Sequence, residues 1–103
     1  MTTELETTFT FRNMDSTDAL KEHTVEKLEK IEKFLVKQTA SAHVIFKVEG
    51  PRHEAEITLN IRGKRYVGAD ISNDMYTSID GAIHRLEAQM SRTKERITHH
   101  RGE

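Results

Sequence analysis

Ala42-His43-Val44-Ile45-Phe46-Lys47-Val48-Glu49-Gly50-Pro51-Arg52-His53-Glu54-Ala55-Glu56-Ile57-Thr58-Leu59-Asn60-Ile61 is two alternating runs hinged on a turn. In the first, Ala42, Val44, Phe46 and Val48 fall on every second position. In the second, Ala55, Ile57, Leu59 and Ile61 do. A period of two sends successive side chains to opposite faces, so each run reads as a strand with one apolar face. Gly50-Pro51-Arg52 supplies turn chemistry between them. A second tight turn, Arg62-Gly63-Lys64, leads into a third run, Arg65 to Ile71, whose apolar content is Tyr66, Val67, Ala69 and Ile71. Gly63 is free to take the positive φ such a turn needs.

Outward from this centre the period changes. Upstream, Leu5, Phe9 and Phe11 share one parity with Thr7 between them, which predicts a strand over 5–11. Thr17 then stands as an N-cap, with Asp18 at the positive end of a helix. Over 18–37, at about 100° per residue, Leu20, Thr24, Leu28, Ile31 and Leu35 fall in one narrow sector. Phe34 and His23 flank the sector, Glu22, Glu26 and Glu29 lie far from it, and 37–41 reads as the helix end. Downstream, Ser72, Asn73 and Asp74 offer caps for a long helix over about 74–98. Its stripe is Met75, Ile79, Ile83, Leu86, Met90 and Ile97. Gly81 inside that helix costs about 1 kcal/mol relative to alanine, which points to a close neighbour.

The order is β-α-β-β-β-α. The first β-α-β is expected to be a right-handed crossover joining parallel strands, and the remaining strands to pair with antiparallel neighbours. Two amphipathic helices need one apolar partner, so both belong on the same face of a four-stranded sheet: an α+β two-layer sandwich. The 103 residues are one domain's worth, expected to be ordered over about 4–98 with a frayed tail at 99–103.

Composition excludes several classes. The absence of cysteine removes disulfide, thiol-redox and cysteine–zinc chemistry. No apolar run approaches the roughly 20 residues of a membrane helix, and the N-terminus lacks a secretory pattern. The expectation is a soluble cytoplasmic protein with no membrane partner and no small-molecule substrate. Catalysis finds no support: there is no Gly-rich phosphate loop, Gly-x-Ser-x-Gly turn or metalloprotease helix. Asp18 and Asp74 are explained as helix-start residues. His99-His100 is too short for a metal site, and His43 and His53, on neighbouring strands, form at best an incomplete pair. The chain is therefore read as a non-enzyme without metal or cofactor.

The charges are more informative in position than in sum. Sixteen Lys and Arg face seventeen Asp and Glu, for a net charge of −1. Residues 84–101 nevertheless carry Arg85, Arg92, Lys94, Arg96 and Arg101 against Glu87 and Glu95. Arg85, Arg92 and Arg96 lie within about 40° of one another around a helix axis, pointing away from the apolar stripe. On the first helix Lys30, Lys33 and Lys37 form a similar row, and Lys27 is placed to bury its stem and extend its ammonium to solvent. Side by side, the two rows would flank a groove suited to a phosphate backbone; an ordinary solvated face is the alternative. With only Tyr66 and Tyr76 as tyrosines and no tryptophan, base stacking on the sheet is not expected. Tyr76 itself reads as a packing residue.

Asp74-Met75-Tyr76-Thr77-Ser78-Ile79-Asp80-Gly81-Ala82-Ile83-His84-Arg85-Leu86-Glu87-Ala88-Gln89-Met90 resembles the Asp-Met-Tyr-x-x-Ile-Asp helix of bacterial ribosome hibernation promoting factors and ribosome-associated inhibitors. Thr17 to Leu20, Glu26 to Phe34, His43 to Glu49 and Ala55 to Leu59 are similar to that family's first helix and central strands, over about 7–98. The resemblance implies a fold similar to double-stranded-RNA-binding domains. It implies docking on 16S rRNA of the small ribosomal subunit near the decoding centre, where mRNA and tRNA are occluded and translation stops in stress or stationary phase. It also leaves room for a second hibernation factor as partner. Ending at 103, the chain is expected to be a short member without a ribosome-dimerising domain. By carry-over Lys27, Lys30, Arg85, Arg92 and Lys94 would face rRNA, with Arg96 added from the helix row. Ala88, Ser91 and Thr93 stand where the family is often polar or basic. The competing readings are a double-stranded-RNA-binding module or a protein-interaction module acting away from ribosomes.

Overall fold

The computed structural model describes residues 4–32 and 39–102, with side chains over 5–32 and 40–91. The elements are β1 (Glu4–Arg12), α1 (Asp18–Glu32), β2 (Thr39–Glu49), β3 (Arg52–Ile61), β4 (Lys64–Ser72) and α2 (Met75–Gly102). The sheet order is β1-β2-β3-β4. β1 is parallel to β2, and the pairs β2–β3 and β3–β4 are antiparallel. Both helices pack on one face, α1 toward β1 and α2 over β3 and β4. The expected α+β sandwich is the one observed.

Alternation aligns across three strands. Phe9 and Phe11 stand beside Val44 and Phe46, and these beside Ile57 and Ala55. Phe46 is fully buried, with the Phe9 and Phe11 rings 6.1 and 4.9 Å from it. The stripes of α1 (Leu20, Thr24, Leu28, Ile31) and α2 (Met75, Ile79, Ala82, Ile83, Leu86, Met90) close the core above. Fully burying a side chain such as Leu28 or Ile57 is worth about 1.5–3 kcal/mol. The buried Thr24 hydroxyl donates to the Leu20 carbonyl at 2.8 Å, so its polarity is satisfied inside the helix. Phe34, Leu35, Lys33 and Lys37 of the expected helix lie outside the described residues.

The structure differs from expectation in four places. Thr39–Ser41, read as the end of the first helix, instead pair with Glu4–Glu6 as strand, because this register places Ala40 in the core opposite Leu5. His43 and His53 do not face each other. Odd positions of β2 point to the open face, where His43 lies between the Thr8 and Thr10 hydroxyls (2.7 and 3.3 Å), whereas His53 is on the helix side. Tyr76 is 41% exposed, its ring meeting His23 edge-on at 5.0 Å. α2 continues to Gly102, past the expected end near 98, since no glycine or proline interrupts it after Gly81.

β4 shows how the helix layer sits. Its register with β3 turns Tyr66, Gly68, Asp70 and Ser72 toward the helices, leaving Val67, Ala69 and Ile71 on the open face. A β-carbon at Gly68 would strike the Ala82 carbonyl and Leu86 of α2. The helix backbone lies almost on the strand, so this side of β4 has no room for large apolar groups.

Candidate nucleic-acid interface

α2 starts at a closed cap. The Asp74 carboxylate accepts from the Thr77 amide (3.1 Å) and hydroxyl (2.9 Å). The Thr77 hydroxyl, then its amide, holds the Asp74 carboxyl below the usual carboxylate range. From this start the helix presents two polar flanks. On one, Tyr76 and Asp80 meet α1, with Asp80 Oδ1 2.8 Å from His23 Nε2. On the other, four residues meet β4 and the start of β3. Ser78 donates to the His53 carbonyl at 2.6 Å, Gly81 lies against the Asp70 carboxylate, Arg85 is beside it, and Gln89 donates to the Val67 carbonyl. Between the flanks, Thr77, His84, Ala88 and Ser91 form an exposed ridge.

Arg85 belongs to the β4 flank. Its Nη2 lies 3.6 Å from Asp70 Oδ1, too long for a hydrogen bond, and its side chain is 62% exposed. The charge is partly compensated, but the donors of the guanidinium fork remain open to a ligand. Lys27 and Lys30 are on α1, four and seven residues after His23. That spacing puts them on the flank turned to α2. Lys27 is half-buried and Lys30 exposed, as an ammonium carried out of the core boundary requires. The inter-helix cleft therefore has Lys27 and Lys30 on one wall and Tyr76 and Asp80 on the other, with Arg85 around the far side of α2. A single groove lined by both basic rows is not formed at Arg85. The helical spacing was legible in the sequence, but which flank faces the partner helix is set only by packing. The side chains of Arg92, Lys94 and Arg96 lie outside the described residues, although the backbone there is helical.

Among the described residues no group of three or more His, Asp or Glu is placed to hold a metal ion, and no helix is long and apolar enough to cross a membrane. Fold and surface together define a two-layer α+β domain that carries exposed cations, Lys30 and Arg85 among them, on its helices.

Comparison with known proteins makes this specific. Residues 7–98 match the family described as Sigma 54 modulation protein / S30EA ribosomal protein, and the chain belongs to that family. It is 32% identical over 91 residues to the ribosome hibernation promoting factor of Salmonella typhimurium, covering 88% of this chain and 95% of that one. It is 34% identical over 83 residues to the factor of the same name from Azotobacter vinelandii, covering 81% and 77%. Among solved structures, the N-terminal domain of Thermus thermophilus Protein Y superposes with a TM-score of 0.74 at 26% identity, over 90% of this chain and 99% of that one. A ribosomal subunit interface protein from Coxiella burnetii shares the fold, with a TM-score of 0.74 at 24% identity, over 88% and 97%.

Proposed function

We infer that the chain is a ribosome-binding hibernation factor: it docks on ribosomes and holds them silent when growth stops. The observation that carries this is the family match over 7–98, together with relatives named for that role that align along 88% of the chain. The finer reading is that the docking site is 16S rRNA of the small subunit near the decoding centre, where the rigid body occupies space that mRNA and tRNA need. The action is occlusion rather than catalysis, and its place is the cytoplasm, where ribosomes are. Arg85 is suited to forked contact with phosphate, Lys30 acts as a point charge, and Lys27 reaches out from the helix boundary. Arg92 and Arg96 extend the same role along α2 by helical spacing, and Lys94 joins them by its resemblance to the family's helix.

The test is co-sedimentation with purified small subunits across a salt series, with a plain RNA duplex as competitor. Wild-type binding should survive the duplex and fall linearly on a log–log salt plot. Replacing Arg85 and Arg92 together by Glu should weaken binding at least about tenfold, since two phosphate contacts become repulsions. Equal competition by the duplex would instead favour a general double-stranded-RNA binder, and unchanged binding of the variant would refute the site.

A further inference from the structure

The β3–β4 turn is two residues long, closed by the pair Ile61–Lys64. Both central residues have positive φ, Arg62 at 51° and Gly63 at 80°. These are the signs of a type I′ turn, which matches the twist of the strands and favours Asn-Gly. Glycine fits its place. Arginine does not: a left-handed conformation costs a non-glycine residue about 1–2 kcal/mol, and the Arg62 side chain makes no hydrogen bond or ion pair among the described residues. Local stability therefore does not account for an arginine here, and an unfavoured residue at a tight turn points to a role outside the fold.

Two more cations follow at once. Lys64 and Arg65 are exposed like Arg62, and strand alternation sends them to opposite faces of the sheet. Their cross-strand neighbours, Ile61 and Asn60, are uncharged. Two cations elsewhere, Lys47 and Arg85, each lie 3.6 Å from an acid, Glu49 and Asp70. At the tip no such pair forms among the described residues. The tip is also held firmly, since Leu59 and Ile61 beneath it are buried in the core. Three open charges are thus fanned from a rigid prong, so the backbone that carries them loses little freedom on meeting a ligand.

The prong is not isolated from the other cations. The contacts Ser72–Ser78, Gly68–Ala82 and Val67–Gln89 run α2 antiparallel to β4. The start of β4 therefore lies level with Met90 and the turns that follow. α1 runs back from the end of β1, so its last turn, with Lys30, reaches the same end of the molecule. We propose that Arg62, Lys64 and Arg65 form a second phosphate-contacting element, which grips an RNA backbone beside the one met by the helices. This rests on the ribosome-binding reading and extends its footprint from the helix layer to the sheet tip. An RNA backbone fits better than a lipid surface, because the tip carries no exposed apolar side chain to insert.

The test uses R62N/K64Q/R65Q in the same salt series with small subunits. Asn-Gly is the favoured pair for this turn, so the variant should unfold at or above the wild-type temperature. Binding should weaken about ten- to thirty-fold. The log–log salt slope should drop by about two to three, because each phosphate left without its cation removes about 0.7–0.9 from it. The single change R62N keeps the turn and should lower the slope by about one. Removing two cations from the opposite end, R12Q/R52Q, should leave the slope near wild type, which separates local contact from net charge. If wild type binds, and R62N and the triple variant match its affinity and slope, the tip proposal is overturned while the ribosome reading stands. If wild type does not bind small subunits, both fall.

Discussion

At Gly81 the helix forgoes about 1 kcal/mol of intrinsic propensity, and the space so released is filled by the Asp70 carboxylate from β4. A β-carbon there would overlap that carboxylate. Gly81→Ala should therefore destabilise the protein by about 1–3 kcal/mol in urea unfolding, as overpacking does, although alanine is the better helix former. In an Asp70→Gly background, which removes the Asp70 β-carbon at 2.9 Å as well as the carboxylate, the sign should reverse, leaving the propensity gain alone. A strongly negative effect in both backgrounds would mean that Asp70 is not the obstacle. The same carboxylate stands beside Arg85, so the small residue on the helix also settles where that guanidinium rests.

Among the elements, α2 owes its sharp start to Asp74. Its carboxyl is depressed in the folded state by the Thr77 hydroxyl and amide. A depressed carboxyl contributes stability that is present above its ordinary value near 3.8 and is lost as pH falls through the lower folded value. Thermal midpoints of wild type should thus fall on acidification below about pH 4 more steeply than those of Asp74→Asn, which still caps but does not titrate. Parallel curves would remove Asp74 from the acid limb. The cap and both helix stripes were legible because each is written in local spacing: Leu20 to Ile31 and Met75 to Met90 repeat at the helical period and are buried accordingly. The orientation of β4 was not. Its inward side is Tyr66, Gly68, Asp70 and Ser72 and its outward side holds Val67, Ala69 and Ile71, the reverse of what apolar alternation suggests. The closeness of α2, a tertiary fact, explains that. Thr39–Ser41 escaped for a related reason: turn-like residues were drawn into the sheet by a partner strand over thirty positions away.

At the scale of the whole molecule, a net charge of −1 conceals an uneven distribution. Three cations stand at the β3–β4 tip, and Lys30 and the second half of α2 reach the same end. The 28-residue helix spans about 42 Å at 1.5 Å per residue, and a nine-residue strand such as β4 about 30 Å, so the helix overruns the sheet and gives the molecule its 49 Å long axis. The charge rows were visible in sequence, but that Lys30 and the second half of α2 lie at one end follows from the parallel course of the two helices. The parallel pairing of β1 with β2 has a different kind of consequence, for the order in which the structure comes apart and together. β2, β3, β4 and α2 each meet a neighbour in sequence, whereas Thr8 reaches His43 across 35 positions and through an intervening helix. Closing that loop costs entropy before any contact is made, and β1, at the sheet edge, has one neighbouring strand to hold it. In native-state hydrogen exchange the β1 amides should open at a lower free energy than those of β3, by detachment of β1 alone. Exchange of both strands only through global unfolding would show that the N-terminal strand is as deeply committed as the centre. Detachment would make β1 the last strand to dock during refolding and the first to leave.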